Sequence, residues 1–266
     1  MASIRDWRGN HHHRRVKGSN MNIGIIGAGN IGGTIARKLA AAGHAVKLSG
    51  AEGVDEIREK AEKIGATPVE VEDAVKGVDV IIVSIPFGNI PDVASIFADV
   101  PANVVVIDTS NYYPQFGVQI AAVDAGKTES VWSSEQLGRR VIKTFNAALA
   151  HTLAEKGKPA GAAGRIAIPI AGDDADAKAI ASELVEAAGF DPLDAGDLAG
   201  SWRQQPGTPA YCTELTLAEL QEALEMADKD RAPRNRDVVM EQFMAENGTL
   251  SHEKVVARNR EVTAPR

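Results

Sequence analysis

The chain has one cysteine, Cys212, in 266 residues, so no disulfide can form within it and a reducing cytoplasm is the expected setting. Aromatic residues make up only 5% of the chain. No apolar run reaches the roughly 18 residues of a bilayer span, and the opening residues are not expected to act as a signal peptide. Cations are outnumbered: 29 Lys and Arg stand against 36 Asp and Glu, a net charge of -7. That balance leaves no broad basic face for nucleic acid, and the partner it leaves room for is a small molecule. Metal ligands are thin as well. The trio His11-His12-His13 has no cysteine or carboxylate beside it, and reads as part of a tag or linker over residues 1–20 rather than a metal site. Met21 is the expected natural start. The apolar content of 44% suits a globular core, in one large α/β domain or a domain with a smaller appendage.

Against those absences, one stretch is rich in information. Ile23, Ile25 and Ile26 form a short buried strand, and Gly27-Ala28-Gly29-Asn30-Ile31-Gly32 follows with glycines in G-x-G-x-x-G spacing. The first glycine permits a tight turn, the second lets a diphosphate approach the backbone, and the third allows close helix–strand contact. Ile31, Ile35 and Leu39 then repeat every four residues, Gly43 stands where a helix cap belongs, and Ala45 to Ser49 reads as a second strand. A glycine turn can also be purely structural. The complete strand–turn–helix–strand context favours the dinucleotide cradle.

The end of the second strand is where an adenosine ribose would lie. NAD-specific sites place an acid there, and NADP-specific sites a neutral residue with an arginine nearby. Ser49 and Gly50 occupy that place here, so NADP(H) is favoured over NAD(H). Ala51 stands where the arginine is expected and Glu52 would repel a 2′-phosphate, which leaves Arg58 or Lys47 as substitutes.

Further along, a helix is expected over Val54 to Ile64 and one or two helical turns over Val71 to Val75. Val78 to Ser84 is a nearly continuous apolar run, the signature of a parallel strand covered on both faces. It ends at Ser84-Ile85-Pro86-Phe87, a rigid apolar wall suited to a nicotinamide ring or an ordinary strand stop. A helix over Ile90 to Ala98 leads to the strand Val104 to Ile107. At its end Asp108 could bind a carboxamide or cap its own turn, the second being favoured. Residues 114–134 read as a long loop with a helix near Val118 to Asp124, and Ser134 opens a short helix. Arg140 to Phe145 is strand-like and ends in Asn146, with Ala147 to Lys156 helical behind it. Ile166 to Gly172 reads as an edge strand because of Pro169. Asp173 and Asp174 cap a helix over Ala175 to Ala188, and Phe190 to Asp194 is a last strand. Beyond Ala195 an irregular segment with Trp202 and Tyr211 precedes two helices, around Leu217 to Leu224 and Val238 to Met244. Lys229, Arg231, Arg234 and Arg236 lie between these as a solvated basic cluster. The expected fold is α/β: a Rossmann-type doubly wound, mostly parallel sheet over residues 21–200, with a C-terminal helical extension over 201–266.

Four segments together resemble the NADPH-dependent deazaflavin (coenzyme F420) reductase family: the turn Gly27 to Gly32, the strand end Ser84-Ile85-Pro86-Phe87, and the pair Ile170-Ala171-Gly172-Asp173-Asp174 and Pro192-Leu193-Asp194-Ala195-Gly196. The likeness spans about Met21 to Ser201. It implies hydride exchange between NADP(H) and a deazaflavin such as coenzyme F420, commonly in a homodimer. It assigns Ala28 to Gly32 to the diphosphate, Ser49 to the 2′-phosphate, and Ile85, Pro86 and Phe87 to the nicotinamide pocket. The family's Ser-Arg pair is Ser49-Gly50-Ala51 here, and the tail beyond Ser201 is longer.

Hydride transfer between two bound heterocycles demands alignment rather than an acid–base pair, and the chain offers no convincing triad. His44 and His151 read as surface or packing residues. Two alternatives stand beside this reading. One is a reductase of a small carbonyl or imine, which would need a proton donor among Lys143, Tyr112, Tyr211 and Asn146. The other is a dinucleotide-binding redox sensor without turnover.

Overall fold

The computed structural model describes residues 20–247 and 249–264; the histidine trio lies outside them. In chain order the first half runs β1 (Asn22–Ile26), α1 (Asn30–Ala41), β2 (Ala45–Ser49), α2 (Val54–Lys63), β3 (Thr67–Pro68), α3 (Val71–Ala74) and β4 (Val80–Val83). A 3-10 helix over Phe87–Phe97 leads to β5 (Val105–Asp108), α4 (Ala121–Asp124), α5 (Glu129–Leu137), β6 (Val141–Lys143) and α6 (Ala150–Glu155). Then come β7 (Ala167–Ile170), α7 (Ala175–Ala187) and β8 (Asp191–Asp194). A 3-10 turn over Ala199–Gln204 precedes α8 (Leu217–Glu225), α9 (Ala232–Ala245) and α10 (His252–Thr263).

Six strands form one wholly parallel sheet in the order β3-β2-β1-β4-β5-β6, the doubly wound order of dinucleotide-binding folds. The apolar run of β4 is explained by the two layers that cover it. Val80 and Ile82 pack with Ile35, Leu39 and Leu184 on one face, and Ile81 and Val83 with Phe87, Ile90 and Trp132 on the other. Each fully buried Ile or Val contributes roughly 1.5–3 kcal/mol of transfer free energy, so a strand apolar on one face only would be unstable here. Among the described residues no helix is long and apolar enough to cross a membrane.

Several expectations change in form. The segment expected as an α-helix over Ile90 to Ala98 is a 3-10 helix that starts at Phe87, with Pro91 inside it lacking an amide hydrogen. The long loop is interrupted: α5 begins at Glu129, five residues before Ser134. Its buried face carries Glu129, Ser130 and Ser133 beside Trp132 and Leu137, so no apolar period marks it. β7 and β8 do not extend the main sheet. They form a separate parallel pair, hung on β6 by one antiparallel bridge in which Lys143 and Ala171 exchange backbone hydrogen bonds of 2.8 and 3.0 Å. Asp174 caps α7 as expected by accepting from the Ala177 N–H at 3.0 Å, while Asp173 instead accepts from the Leu198 N–H at 2.9 Å. Among the described residues the C-terminal region holds three α-helices rather than two, α10 being the addition.

Candidate cofactor-binding site

The three motif glycines do different work. Gly27 has φ +112°, and a Cβ built on it would stand 2.1 Å from the Ser84 carbonyl oxygen. A Cβ on Gly32 would stand 2.0 Å from the Gly27 carbonyl. Both glycines are therefore required by the fold, because no side chain fits between the turn, α1 and the end of β4. Gly29 is the exception. It sits at the N-cap of α1 with φ -68° and ψ -168°, which any residue adopts, and its Cβ would meet nothing within 4 Å. The fold does not need glycine there, but a ligand pressed against the backbone would. No side chain caps α1 and no acid lies in its first turn, so the amide hydrogens and the positive end of the helix dipole face outward. Asn30 is exposed beside them, with Ala28 and Ile31 half-buried.

At the adenosine end the assigned contact changes. Ser49 is buried, and its hydroxyl donates to the Ile25 carbonyl at 3.2 Å, so it is turned away from any 2′-phosphate. β2 continues straight into Gly50, where a Cβ would press within 2.7 Å of Ile57 Cγ2 and 3.4 Å of the Ala28 Cβ. Both substitute cations have partners of their own. Lys47 donates to the Asp73 and Lys76 carbonyls, and Arg58 pairs with Asp55 at 2.7 Å. A residue without any sequence signal is present instead: Lys60 of α2 donates its ammonium to the Ala28 carbonyl of the glycine turn.

At the other end, Ser84 and Ile85 are half-buried and Pro86 is exposed, beside the turn at the ends of β1 and β4. Phe87 is not part of that wall. Its ring is turned inward, stacked on Trp132 at 4.7 Å and tilted against Tyr112 at 5.5 Å, because the 3-10 helix begins there and needs an apolar anchor. Asp108 and Asn146 are likewise spoken for. Asp108 is fully buried and caps its own turn, accepting from the Ser110 N–H at 2.9 Å and the Ser110 hydroxyl at 2.5 Å. The Asn146 side chain donates to Asn111 Oδ1 and the Gln204 carbonyl, and accepts from Gln204 Nε2 at 3.0 Å.

Beneath the strand ends lies a charged cluster. The Lys143 ammonium, with no exposed surface, pairs with Asp108 Oδ2 at 3.2 Å and donates to the Ser110 carbonyl. Nearby Glu129, also buried, accepts from the Tyr112 N–H at 3.2 Å. Burial pushes the Glu129 carboxyl up from its ordinary value of 4.5 to about 7, with the Lys143 charge and the Tyr112 amide opposing that rise. A carboxyl whose folded pKa exceeds its unfolded one favours folding while protonated. Its stabilisation is complete below about pH 4.5 and is lost as pH rises through about 7, a change of about 3 kcal/mol. Glu129→Gln should therefore be more stable than the parent at pH 8 and lack most of this pH slope; urea denaturation at pH 5 and 8 measures both. A parent slope unchanged by the substitution would refute the assignment.

The remaining proton-donor candidates are engaged too. The Tyr112 hydroxyl donates to Asp124 and accepts from the Ile120 N–H, and the Tyr211 and Tyr113 hydroxyls bond to each other at 3.0 Å. Burial raises the pKa of all three tyrosines and pushes the Cys212 thiol up to about 12. His44, half-buried, accepts from the Met21 N–H, and His151 is an exposed residue whose ring lies against His252 with centroids 4.3 Å apart.

An open doubly wound sheet and an uncapped helix behind a glycine turn define an NAD(P)-binding oxidoreductase class. Residues 22–112 match the family described as NADP oxidoreductase, coenzyme F420-dependent, and the chain belongs to that family. It is 36% identical over 107 residues to YjhV of Escherichia coli K12, covering 40% of this chain and 78% of that protein. A solved hypothetical protein of Sinorhizobium meliloti superposes with a TM-score of 0.64 at 29% identity, covering 74% of this chain and 96% of that one. A candidate F420-dependent NADP reductase of Arthrobacter sp. FB24 shares the fold, with a TM-score of 0.58 at 20% identity over 68% of this chain and 87% of that one.

Proposed function

We propose that the protein carries hydride between NADP(H) and a deazaflavin-like or similarly flat, conjugated acceptor. The observation that carries this reading is Gly29: a glycine in an ordinary conformation with open space over its Cα, at the uncapped start of α1. That is a cradle a side chain would fill, and it fits a diphosphate held by backbone N–H groups. The outward-facing amides at the start of α1 would hold the two phosphates. Ile85 and Pro86 would shield one face of the nicotinamide from water. When bound, the cofactor supplies the hydride, and the chain's task is alignment.

A deazaflavin-like acceptor is favoured over a carbonyl or imine by the state of the donor candidates. Lys143, Tyr112, Tyr211 and Asn146 are all buried and partnered, whereas carbonyl reduction needs a proton donor in reach of substrate. The test is to follow NADPH absorbance with oxidised deazaflavin, flavins, and a set of small aldehydes, ketones and cyclic imines. Bleaching with the deazaflavin is expected. Turnover confined to carbonyls or imines would overturn the acceptor, and tight NADPH binding with no turnover on any of them would point to a sensor.

A further inference from the structure

Lys60 stands at an unexpected place for a lysine in the second turn of a surface helix. Glu56 lies one helical turn before it, the spacing and order that best favour a Glu–Lys pair. Among the described residues Lys60 forms no ion pair. Its side chain crosses to the glycine turn instead and donates to the Ala28 carbonyl. Its Cε and Nζ lie 3.2 and 3.3 Å from where a Cβ on Gly33 would stand, so the stem is laid against the first turn of α1. The same corner is closed by the end of β2, since a Cβ on Gly50 would touch both Ile57 and Ala28. Ala28, Gly50 and Lys60 thus surround the point just beyond β2, where the adenosine ribose lies in this fold. An ammonium has three donors, and the Ala28 carbonyl takes one.

We infer that Lys60 is the cation that meets the adenosine 2′-phosphate, in place of an arginine at Ala51. Discrimination between NADP(H) and NAD(H) then resides in α2 and not in the turn after β2. The inference rests on the dinucleotide reading above. It also resolves the disagreement inside that corner: Ser49 faces inward, Ala51 is neutral, Glu52 is exposed and Arg58 is paired with Asp55, whereas Lys60 reaches the glycine turn itself.

The test is titration calorimetry of the full chain with NADP+ and NAD+, comparing the parent with Lys60→Ala and Lys60→Arg. Lys60→Ala should weaken NADP+ binding about tenfold or more, the loss expected of one charge-assisted hydrogen bond, and leave NAD+ affinity unchanged. Lys60→Arg should keep the preference for NADP+. Equal weakening of both nucleotides would place the lysine on the diphosphate or the turn and overturn the inference, as would no change in either. If the parent binds neither nucleotide, the dinucleotide reading falls and this inference with it. If it binds both and Lys60→Ala changes nothing, only the inference falls.

Discussion

Gly29→Val should lose roughly 100-fold in dinucleotide affinity, equal to about 2.7 kcal/mol, while its melting temperature stays within about 2–4 °C of the parent. The expectation follows from the contrast among the motif glycines. At Gly29 the backbone angles suit any residue and the added side chain meets only open space, so the folded state loses little beyond the N-cap preference for Gly over Val, about 1 kcal/mol. The lost affinity comes from the ligand side, where isopropyl carbons would occupy the space in front of the α1 amides. Gly32→Val is the matching control. Its Cβ would overlap the Gly27 carbonyl at 2.0 Å, so that variant should lose stability and binding together. Calorimetry and thermal melting on the pair separate the two roles. A Gly29→Val protein that still binds NADP+ as tightly as the parent would remove the cradle from consideration.

The second large effect concerns the buried ion pair. Lys143→Met should destabilise the protein by about 3–5 kcal/mol, because it strands the Asp108 carboxylate in the core with only Ser110 to solvate it. Replacing both partners, as Lys143→Met with Asp108→Leu, should recover part of that loss, since the cost lies in the unpaired charge more than in the absent attraction. Urea denaturation of the single and double variants gives the coupling directly. A single variant within about 1 kcal/mol of the parent, roughly the ordinary effect of a point substitution, would show that the Lys143–Asp108 pair does not hold the core together.

The β1–α1–β2 unit and β4 were legible from sequence because their signals are local: a glycine turn, a four-residue repeat, and β-branched runs. α7 was legible for the same reason, with Asp174 announcing it. The first five residues of α5 and the whole of α10 were not. Both bury polar side chains: the Ser133 hydroxyl, the Asn259 amide and the Thr263 hydroxyl each donate to the carbonyl four residues back in their own helix, and the Ser130 hydroxyl is buried without a hydrogen-bond partner, so no apolar period marks either helix. The site divides along the same line. The glycine turn could be read directly, since its chemistry is in the backbone. Ser49, Phe87, Asp108 and Asn146 are in the expected strand ends, but which way a side chain points there depends on partners far along the chain: Ile25, Trp132, Lys143 and Gln204. Lys60 was invisible because a helix of alternating charges gives no reason to single out one lysine.

Gln204 carries a practical consequence for dissecting the molecule. Its single carboxamide nitrogen reaches the Lys143 carbonyl, Asn146 Oδ1 and the Pro169 carbonyl, and eight residues later the Cys212 N–H donates to the Ala147 carbonyl. A fragment cut at residue 200 would retain every strand yet leave those carbonyls to compete for solvent. The seam continues past that point, since the Leu215 carbonyl accepts from the Ala167 N–H of β7 at 2.8 Å and Leu220 and Leu224 of α8 pack with Ala167, so a fusion junction at residue 200 would sever a seam rather than a linker.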